Sequence, residues 1–196
     1  MNNTPEIITE RLLLRKFTLE DKEAFFRFMG NDEVNRFLPF FPFKEIIEAE
    51  KYLQENYLKT YGNPVGFRHA VCLKSNNIPI GYASLHNNDS YDLGYGLSRE
   101  YWHRGIITEA CKAVIEEIKK SGIPYITATH DVNNPKSGNI MKKIGMKYCY
   151  SCEEQWKPKD ILVVFRMYQL NFDGSDDTIY REYWNKYLVH FVEEGL

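Results

Sequence analysis

A segment rich in polar side chains leads from a predicted strand into a predicted helix at residues 100–110. It contains His103, Arg104 and Gly105 just before the helix begins. The first turn of a helix leaves backbone N–H groups unpaired and carries a partial positive charge, so a glycine there lets a phosphate approach the backbone closely. His103 and Arg104 add side-chain donors at the same place. The pattern indicates a phosphate-binding turn, although the same residues also fit ordinary packing at a helix start.

A second segment, residues 131–146, also follows a predicted strand and opens a helix with Asn134 and Pro135. Proline suits the first helical position because its missing N–H has no partner there in any case. Ser137 lies in the first turn of this helix. Its hydroxyl can donate a hydrogen bond to a reacting group or satisfy a backbone group of the turn, and the residues alone leave both roles open.

These two segments and two others together make the chain similar to a known family. Residues 9–15 (TERLLLR) lie near the start, and Ile80-Gly81-Tyr82 and Leu93-Gly94-Tyr95 lie in the middle of the chain. With them, the sequence resembles the GNAT acetyltransferases, in particular the group that acetylates the N-termini of ribosomal proteins. The match runs from about residue 8 to residue 170, and four ordered segments are far more specific than one motif.

The resemblance implies an α+β GNAT fold, in which a mixed, mostly antiparallel sheet splays open around an acetyl-CoA cleft and is flanked by helices. It implies that the coenzyme pyrophosphate binds at the Gly105 loop and that the pantetheine arm and thioester lie near Asn134 and Ser137. The residues expected to bind the coenzyme are Leu97, Trp102, His103, Arg104, Gly105, Ile106, Ile107, Thr108, Asn134 and Ser137.

Four positions depart from the family pattern. Trp102 stands where Gln or Arg is common, and His103 stands where this group often has Gly. Ile107 replaces a usual Gly or Ala, and its bulk is expected to tighten the start of the helix. Many relatives carry a tyrosine as the acid four residues before the glycine that ends the second helix, and here that position is Met141.

The reaction implied by the resemblance is direct attack of a primary amine on acetyl-CoA in a ternary complex. The amine must be neutral, which is easy for an α-amine of pKa about 8 and harder for a lysine of pKa about 10.4. Asp92 occupies a position where relatives often carry an acidic residue, and it is the first candidate for the base. His86 and His130, at strand ends, are the alternatives because imidazole titrates near neutrality. Each of the three also fits a solvated or structural role.

Ser137 is the candidate donor to the departing sulfur. Full proton transfer is not required, because a thiol of pKa about 8.5 leaves readily. Backbone N–H groups near Leu97 are candidates for polarising the thioester carbonyl. The catalytic residues predicted from the sequence are therefore Ser137 and Asp92.

The acceptor site is expected to lie against the two N-terminal helices, as in relatives. Its predicted lining is Phe37, Leu38, Phe40, Phe41, Phe43, His86 and His130. An aromatic wall favours an apolar or flat acceptor. The same phenylalanines also fit a core that is sealed beneath a proline-rich loop, because large apolar residues are usually buried.

The elements that must position these residues follow from periodicity and turn signals. Strands are predicted at residues 11–17, 67–73, 78–85, 91–97, 124–129, 146–156 and 161–170. Helices are predicted at 19–29, from 32, at 44–58, from 107 to near 122, and at 135–144. Thr18 and Asp21 resemble a capping box at the start of the first helix. The order indicates an α+β domain on a mixed sheet.

The chain is predicted to consist of an acetyltransferase domain at residues 1–171 and a helical extension at 172–196. The extension carries six apolar side chains from residue 176 onward, predicted on one face of a long helix: Tyr180, Tyr183, Trp184, Tyr187, Leu188 and Phe191. Such a face must be buried on its own domain or on a partner subunit, which leaves a monomer and a homodimer as alternatives.

Composition excludes several classes of function. Of 196 residues, 25 are Lys or Arg and 27 are Asp or Glu, so the formal charge of −2 gives no overall attraction to nucleic acid or anionic lipid. No apolar run approaches the roughly 20 residues of a membrane span, and the expectation is a soluble, cytoplasmic protein. The four cysteines are too few for a disulfide framework, and the lone Cys149-x-x-Cys152 has no second pair at zinc spacing. Neither metal nor disulfide is expected.

Three functions fit these observations: an acetyltransferase for protein N-termini, one for a small amine such as an amino acid, polyamine or drug, and a non-catalytic acyl-CoA-binding sensor. The first two share all their chemistry. An acidic cleft favours a polyamine or aminoglycoside, whereas an open groove favours a peptide. The sensor alternative is supported only by two departures from the family pattern, Met141 in place of the usual tyrosine and Ile107 in place of a Gly or Ala.

Overall fold

The structure is a computed structural model that describes residues 3–175 and 178–196. Its strands form two antiparallel sheets. The first sheet has the order β1 (Ile7–Ile8), β2 (Leu12–Arg15), β3 (Phe67–Leu73), β4 (Pro79–Leu85) and β5 (Leu93–Leu97). The second has the order β6 (Tyr125–Asp131), β8 (Ile161–Asn171), β7 (Lys147–Trp156) and β9 (His190–Phe191).

The two sheets meet where β5 and β6 approach each other. One isolated parallel bridge joins Asp92 to Thr127, and the Thr127 N–H donates to the Tyr91 carbonyl over 3.1 Å. The described residues form no further strand pairs between the sheets, so the strands diverge beyond this point and open a cleft. The predicted sheet that splays around a cleft is confirmed.

Helices pack against both sheets, and on both sides of the first. They are α1 (Lys22–Met29), α2 (Asp32–Asn35), α3 (Ile46–Asn56), α4 (Ile106–Lys119), α5 (Pro135–Lys143) and α6 (Glu182–Lys186). Of these, α5 and α6 pack against the second sheet. The Thr18–Asp21 capping box is confirmed, although it opens a 3₁₀ turn, Leu19–Asp21, ahead of α1. Within the described parts of the chain, no helix has the length and apolar character needed to cross a membrane.

Alternate strand residues serve two separate cores, because successive side chains in a strand point to opposite faces. Leu12 and Leu14 of β2 pack in the main core with α4, whose buried side chains recur at helical spacing. Leu13 and Cys72 face the other way and pack with the side chains of α1 and α3. The first sheet is thereby held between two helical layers.

The C-terminal segment corrects the prediction of one long helix. Residue 176, where that helix was expected to begin, lies outside the described residues, and α6 has only five residues before the chain extends into β9. Strand β9 pairs with the edge of β7, which satisfies backbone groups that an unpaired edge would leave open. The aromatic residues still pack together on one surface, against β7 and β8: Tyr180, Tyr183, Trp184 and Tyr187.

Candidate active site

The cleft between β5 and β6 contains a cavity of about 1350 Å³. Ligand pockets commonly enclose roughly 300–1,000 Å³, so this volume can hold a coenzyme arm together with an acceptor. Both sheets contribute to its lining, together with the starts of α4 and α5, the segment after α2 and the C-terminal segment.

The turn that was predicted to bind an anion lies at the start of α4. Gly105 has φ +71° and His103 has φ +61°, so the loop passes twice through the left-handed region before the helix begins. The Glu109 N–H donates to the Gly105 carbonyl over 3.0 Å. The amides of Ile106, Ile107 and Thr108 precede this bond and have no acceptor within the helix. All three residues line the cavity.

Ile107 does not obstruct this turn. Its side chain is 8% exposed and packs in the main core, as does that of Ile106. The bulk that was expected to tighten the helix start is therefore taken up by the core, while the backbone remains at the cavity.

Trp102 fixes the loop to the end of β5. Its indole N–H donates to the Leu97 carbonyl over 2.7 Å, and Lys136 of α5 lies 5.8 Å from the ring centroid. Leu97, Trp102 and Lys136 all line the cavity. Lys136 is a cation near the turn that sequence reasoning passed over, although its place in the first turn of α5 was visible.

Arg104 is a correction to the predicted coenzyme site, because it does not line the cavity. Its guanidinium lies 5.7 Å from the Tyr101 ring centroid, and its carbonyl accepts a hydrogen bond from Arg11 over 2.8 Å. The loop turns this exposed side chain away from the cleft.

Ser137 is joined to a tyrosine across the cleft. The Tyr95 hydroxyl lies 2.9 Å from the Ser137 hydroxyl and 3.0 Å from its carbonyl oxygen. Burial raises the pKa of Tyr95, so the phenol stays protonated and can donate. Sequence reasoning missed this residue, although it belongs to the Leu93-Gly94-Tyr95 motif. Met141, at the family's tyrosine position, is buried in the main core.

Asp92 lies just before β5, facing the same cavity. Its Oδ1 atom is buried without a hydrogen-bond partner among the described residues. Burial raises the pKa of the Asp92 carboxyl to about 7, because the charged form is poorly solvated there. The group can therefore exchange a proton at neutral pH.

The two candidate histidines have different surroundings. His86 is exposed on the β4–β5 hairpin, and its backbone N–H donates to the Asp92 backbone carbonyl over 2.9 Å. His130 lies inside β6, is only 5% exposed, and its ring Nδ1–H donates to the Asp131 backbone carbonyl over 2.8 Å. Its ring packs beneath Gly138 of α5, and burial lowers its pKa. These contacts favour a structural role for His130, in which its ring supports α5.

The aromatic segment after α2 divides between two sides. Phe37, Leu38 and Phe40 are half-buried and line the cavity, as predicted. Phe41 is a correction: it is 57% exposed and lies over a separate shallow pocket, which Phe43 also lines. Phe40 and Phe43 stack at 6.1 Å on the inner side of the segment, which leaves Phe41 on the outer side.

A second wall of the cavity was not found from the sequence. It comes from β7, β8 and the C-terminal segment, and its residues are Glu154, Trp156, Phe165, Tyr183 and Tyr187. They lie far from the recognised motifs, and only the folding of the C-terminal segment onto the second sheet brings them to the cleft.

Among the residues described, no three His, Cys, Asp or Glu side chains form a group that could hold a metal ion.

Comparison with known proteins identifies the family. A profile described as "Acetyltransferase (GNAT) domain" matches residues 11–147. The chain belongs to the GNAT acetyltransferase family. It is therefore an acyltransferase, as the sequence predicted, and the GNAT fold expected from the resemblance is confirmed.

Individual relatives agree with this assignment. The uncharacterized N-acetyltransferase YnaD of Bacillus subtilis is 29% identical over 143 residues, which cover 72% of this chain and 82% of the relative. A GNAT-family acetyltransferase from Bacillus anthracis superposes with a TM-score of 0.75 at 24% identity, covering 86% of this chain and 99% of that one.

RimL, a ribosomal L7/L12 α-N-protein acetyltransferase in complex with coenzyme A, shares the fold. It superposes with a TM-score of 0.76 at 15% identity, covering 87% of this chain and 100% of its own. At this identity the likeness concerns the fold.

Proposed function

We propose that this GNAT enzyme transfers the acetyl group of acetyl-CoA to a primary amine by direct attack in a ternary complex. The acceptor is a protein N-terminus or a small amine. The observation that carries the proposal is a single cavity that joins an anion-binding helix start, the Ser137–Tyr95 hydroxyl pair and the titratable Asp92 carboxylate.

The residues present suit the coenzyme. The unpaired amides at the start of α4 can bind the pyrophosphate, with Lys136 adding positive charge nearby. Beyond the Asp92–Thr127 bridge, the edge of β5 that faces the cleft has no partner strand among the described residues. Its free backbone groups can bond the amides of the pantetheine arm, much as a strand would.

Asp92 accepts the proton that the amine must lose, directly or through water. The amine nitrogen then bonds to the thioester carbonyl carbon, the carbon–sulfur bond breaks, and the sulfur leaves with the bonding electron pair. Ser137 donates a hydrogen bond to this sulfur, and the Tyr95 hydroxyl lies 2.9 Å from the Ser137 hydroxyl. The departing sulfur takes up the second proton that the attacking nitrogen loses, so the products are an N-substituted acetamide and the free thiol of coenzyme A.

The test is release of free thiol from acetyl-CoA in the presence of N-terminal peptides, amino acids, polyamines and aminoglycosides. With an active acceptor, Ser137→Ala is expected to lower kcat by about 10–100-fold, because a donor to the leaving sulfur is lost. Tyr95→Phe is expected to lower kcat less, because Ser137 remains. Coenzyme affinity should change little in either variant.

Ser121→Ala is the matched control, since Ser121 lies two residues beyond α4 and its hydroxyl donates to the Ile118 carbonyl. It should leave kcat unchanged. Tight coenzyme binding without thiol release for any amine would contradict the proposed transfer and support the sensor alternative. Absence of coenzyme binding would contradict the proposed site itself.

A further inference from the structure

The C-terminal segment forms a wall of the cavity beside Asp92. Tyr183 and Tyr187 are half-buried and line the cavity. Phe165 of β8 holds both rings edge-to-face, at centroid distances of 6.2 Å and 5.5 Å. This segment lies beyond residues 11–147, which match the family profile.

The opposite wall is also aromatic. Phe37 and Phe40 follow α2, Tyr52 belongs to α3, and Tyr82 of β4 lies between the two walls. The rings contact flat or apolar groups well and themselves offer few partners for the N–H and C=O groups of an extended peptide, whereas the polar side chains of Arg68, Ser84 and His86 line the cavity between them.

A hairpin crosses the cleft at this end. The Lys159 ammonium, at the tip of the β7–β8 hairpin, donates to the Asn35 carbonyl over 2.8 Å and to the Asn35 side-chain oxygen over 3.2 Å. Asn35 is fully buried in α2. The contact therefore ties the second sheet to the helical layer of the first, directly beside Phe37. We name this contact the Lys159 latch.

The cavity is lined by charges of both signs: Asp92 and Glu154 are carboxylates, and Arg36, Arg68 and Lys157 are cations. Asp92 lies at its inner end, and Glu154 of β7 accepts a hydrogen bond from the Trp156 indole over 2.9 Å. A protonated amine is attracted both by carboxylates and by the faces of aromatic rings. Asp92, Glu154 and the ring faces can therefore attract one ammonium group, and the space between the two walls has room for a flat apolar body.

We infer that the acceptor is a small primary amine with an aromatic or other flat apolar body, and that the enzyme does not act on protein N-termini. The inference rests on the proposed acetyl transfer and narrows its acceptor. A polypeptide would place its backbone groups among aromatic side chains and would need the cleft to open wider than the Lys159 latch allows, whereas an arylalkylamine would fit between the two walls.

The first experiment compares thiol release from acetyl-CoA with 2-phenylethylamine, spermidine and tetrapeptides that begin with Ala or Ser. The expected kcat/KM for 2-phenylethylamine exceeds that for each peptide by about tenfold or more, because the pocket contacts its ring. Release with peptides or spermidine in preference to the aromatic amine would overturn this inference and leave the proposed transfer intact. Release with no amine would overturn both.

Variants then locate the selectivity in the C-terminal wall. Tyr187→Leu is expected to raise KM for 2-phenylethylamine by about tenfold with little change in kcat or coenzyme affinity, and Tyr187→Phe should restore KM because it keeps the ring. Leu188→Ala is the matched control, since the neighbouring Leu188 is 100% exposed. Equal KM values for Tyr187→Leu and the wild type would overturn the role of this wall.

The Lys159 latch is tested with Lys159→Met, which keeps the length of the side chain and removes its hydrogen bonds. The ratio of peptide to arylalkylamine kcat/KM is expected to rise by about tenfold, because the cleft can then open. Lys120→Met, at the far end of α4, removes a lysine paired with Glu117 and should not move this ratio. An unchanged ratio in Lys159→Met would overturn the assignment of the latch as the barrier to peptides.

Discussion

The Asp92 carboxylate lies where β5 begins, half-buried, with Oδ1 lacking a hydrogen-bond partner among the described residues. Its pKa is raised to about 7 by burial. An unfolded aspartate has a pKa of about 3.9, so the folded state binds this proton more tightly. By linkage, the contribution of Asp92 to stability falls as pH rises from about 4 to about 7. The same burial that makes Asp92 a base at neutral pH therefore destabilises the fold.

The wild-type kcat/KM is expected to rise with pH and level off above about 7, because the proposed base must be unprotonated. Asp92→Asn should lower the plateau by about 100-fold and remove this rise. At pH 8 the free energy of unfolding of Asp92→Asn should also exceed that of the wild type by on the order of 1 kcal/mol, and the variant should therefore unfold at a higher urea concentration. A pH profile that keeps the same rise in Asp92→Asn would contradict the role of Asp92 as base.

Helix α5 lies very close to β6, and one glycine permits this approach. A Cβ atom on Gly138 would lie 2.5 Å from the His130 Nε2 atom, and His130 is itself buried. The neighbouring Ser137 is held by Tyr95 from the other side of the cleft. The position of the Ser137 hydroxyl therefore depends on how closely α5 packs on β6.

Gly138→Ala is expected to cost about 1–3 kcal/mol of stability, because either α5 or His130 must move. The accompanying shift of Ser137 should lower kcat, while acetyl-CoA binding at the start of α4 persists. Gly62→Ala is the control, since a Cβ there meets no atom within 4 Å. Urea denaturation and thiol release measure the two effects, and equal stability of the two variants would contradict this account of the packing.

At the scale of the whole molecule, the C-terminal segment closes the second sheet. Trp184 packs edge-to-face on the buried Tyr150 at 5.5 Å and lies 4.1 Å from the His190 ring. The Tyr150 hydroxyl donates to the Tyr180 carbonyl over 2.6 Å. We propose that residues 172–196 fold as part of the acetyltransferase domain, because they cover side chains of β7 and β8 that would otherwise meet water.

Trp184→Ala is expected to lower the free energy of unfolding of the whole protein by about 2 kcal/mol in a single transition. The exposed Leu188 again supplies the control, and Leu188→Ala should change stability by less than about 0.5 kcal/mol. Urea denaturation followed by both fluorescence and circular dichroism tests this. Two separate transitions would show that the C-terminal segment folds independently.

The sequence by itself indicated most of the elements between residues 11 and 170, and it indicated a candidate anion-binding turn at the start of α4. These features rest on local physics: alternation in β3, helical spacing in α4, and a glycine at a helix start. The GNAT family, in contrast, was indicated by the resemblance of four ordered segments. Asp92 and Ser137 could be named because they stand next to recognisable strand and helix ends.

Only the tertiary structure decided what surrounds those residues. The partner of Ser137 is 42 positions away in the chain, at Tyr95, and Tyr183 comes from a segment predicted as one long helix. The sequence also did not predict that Phe41 lies on the outer side of its segment or that the Arg104 side chain lies outside the cavity. Local periodicity specifies which face of an element is apolar, but it does not specify which distant surface covers that face. The candidate catalytic residues and the wall formed by Phe37, Leu38 and Phe40 were therefore visible in the sequence, whereas the wall formed by the C-terminal segment was not.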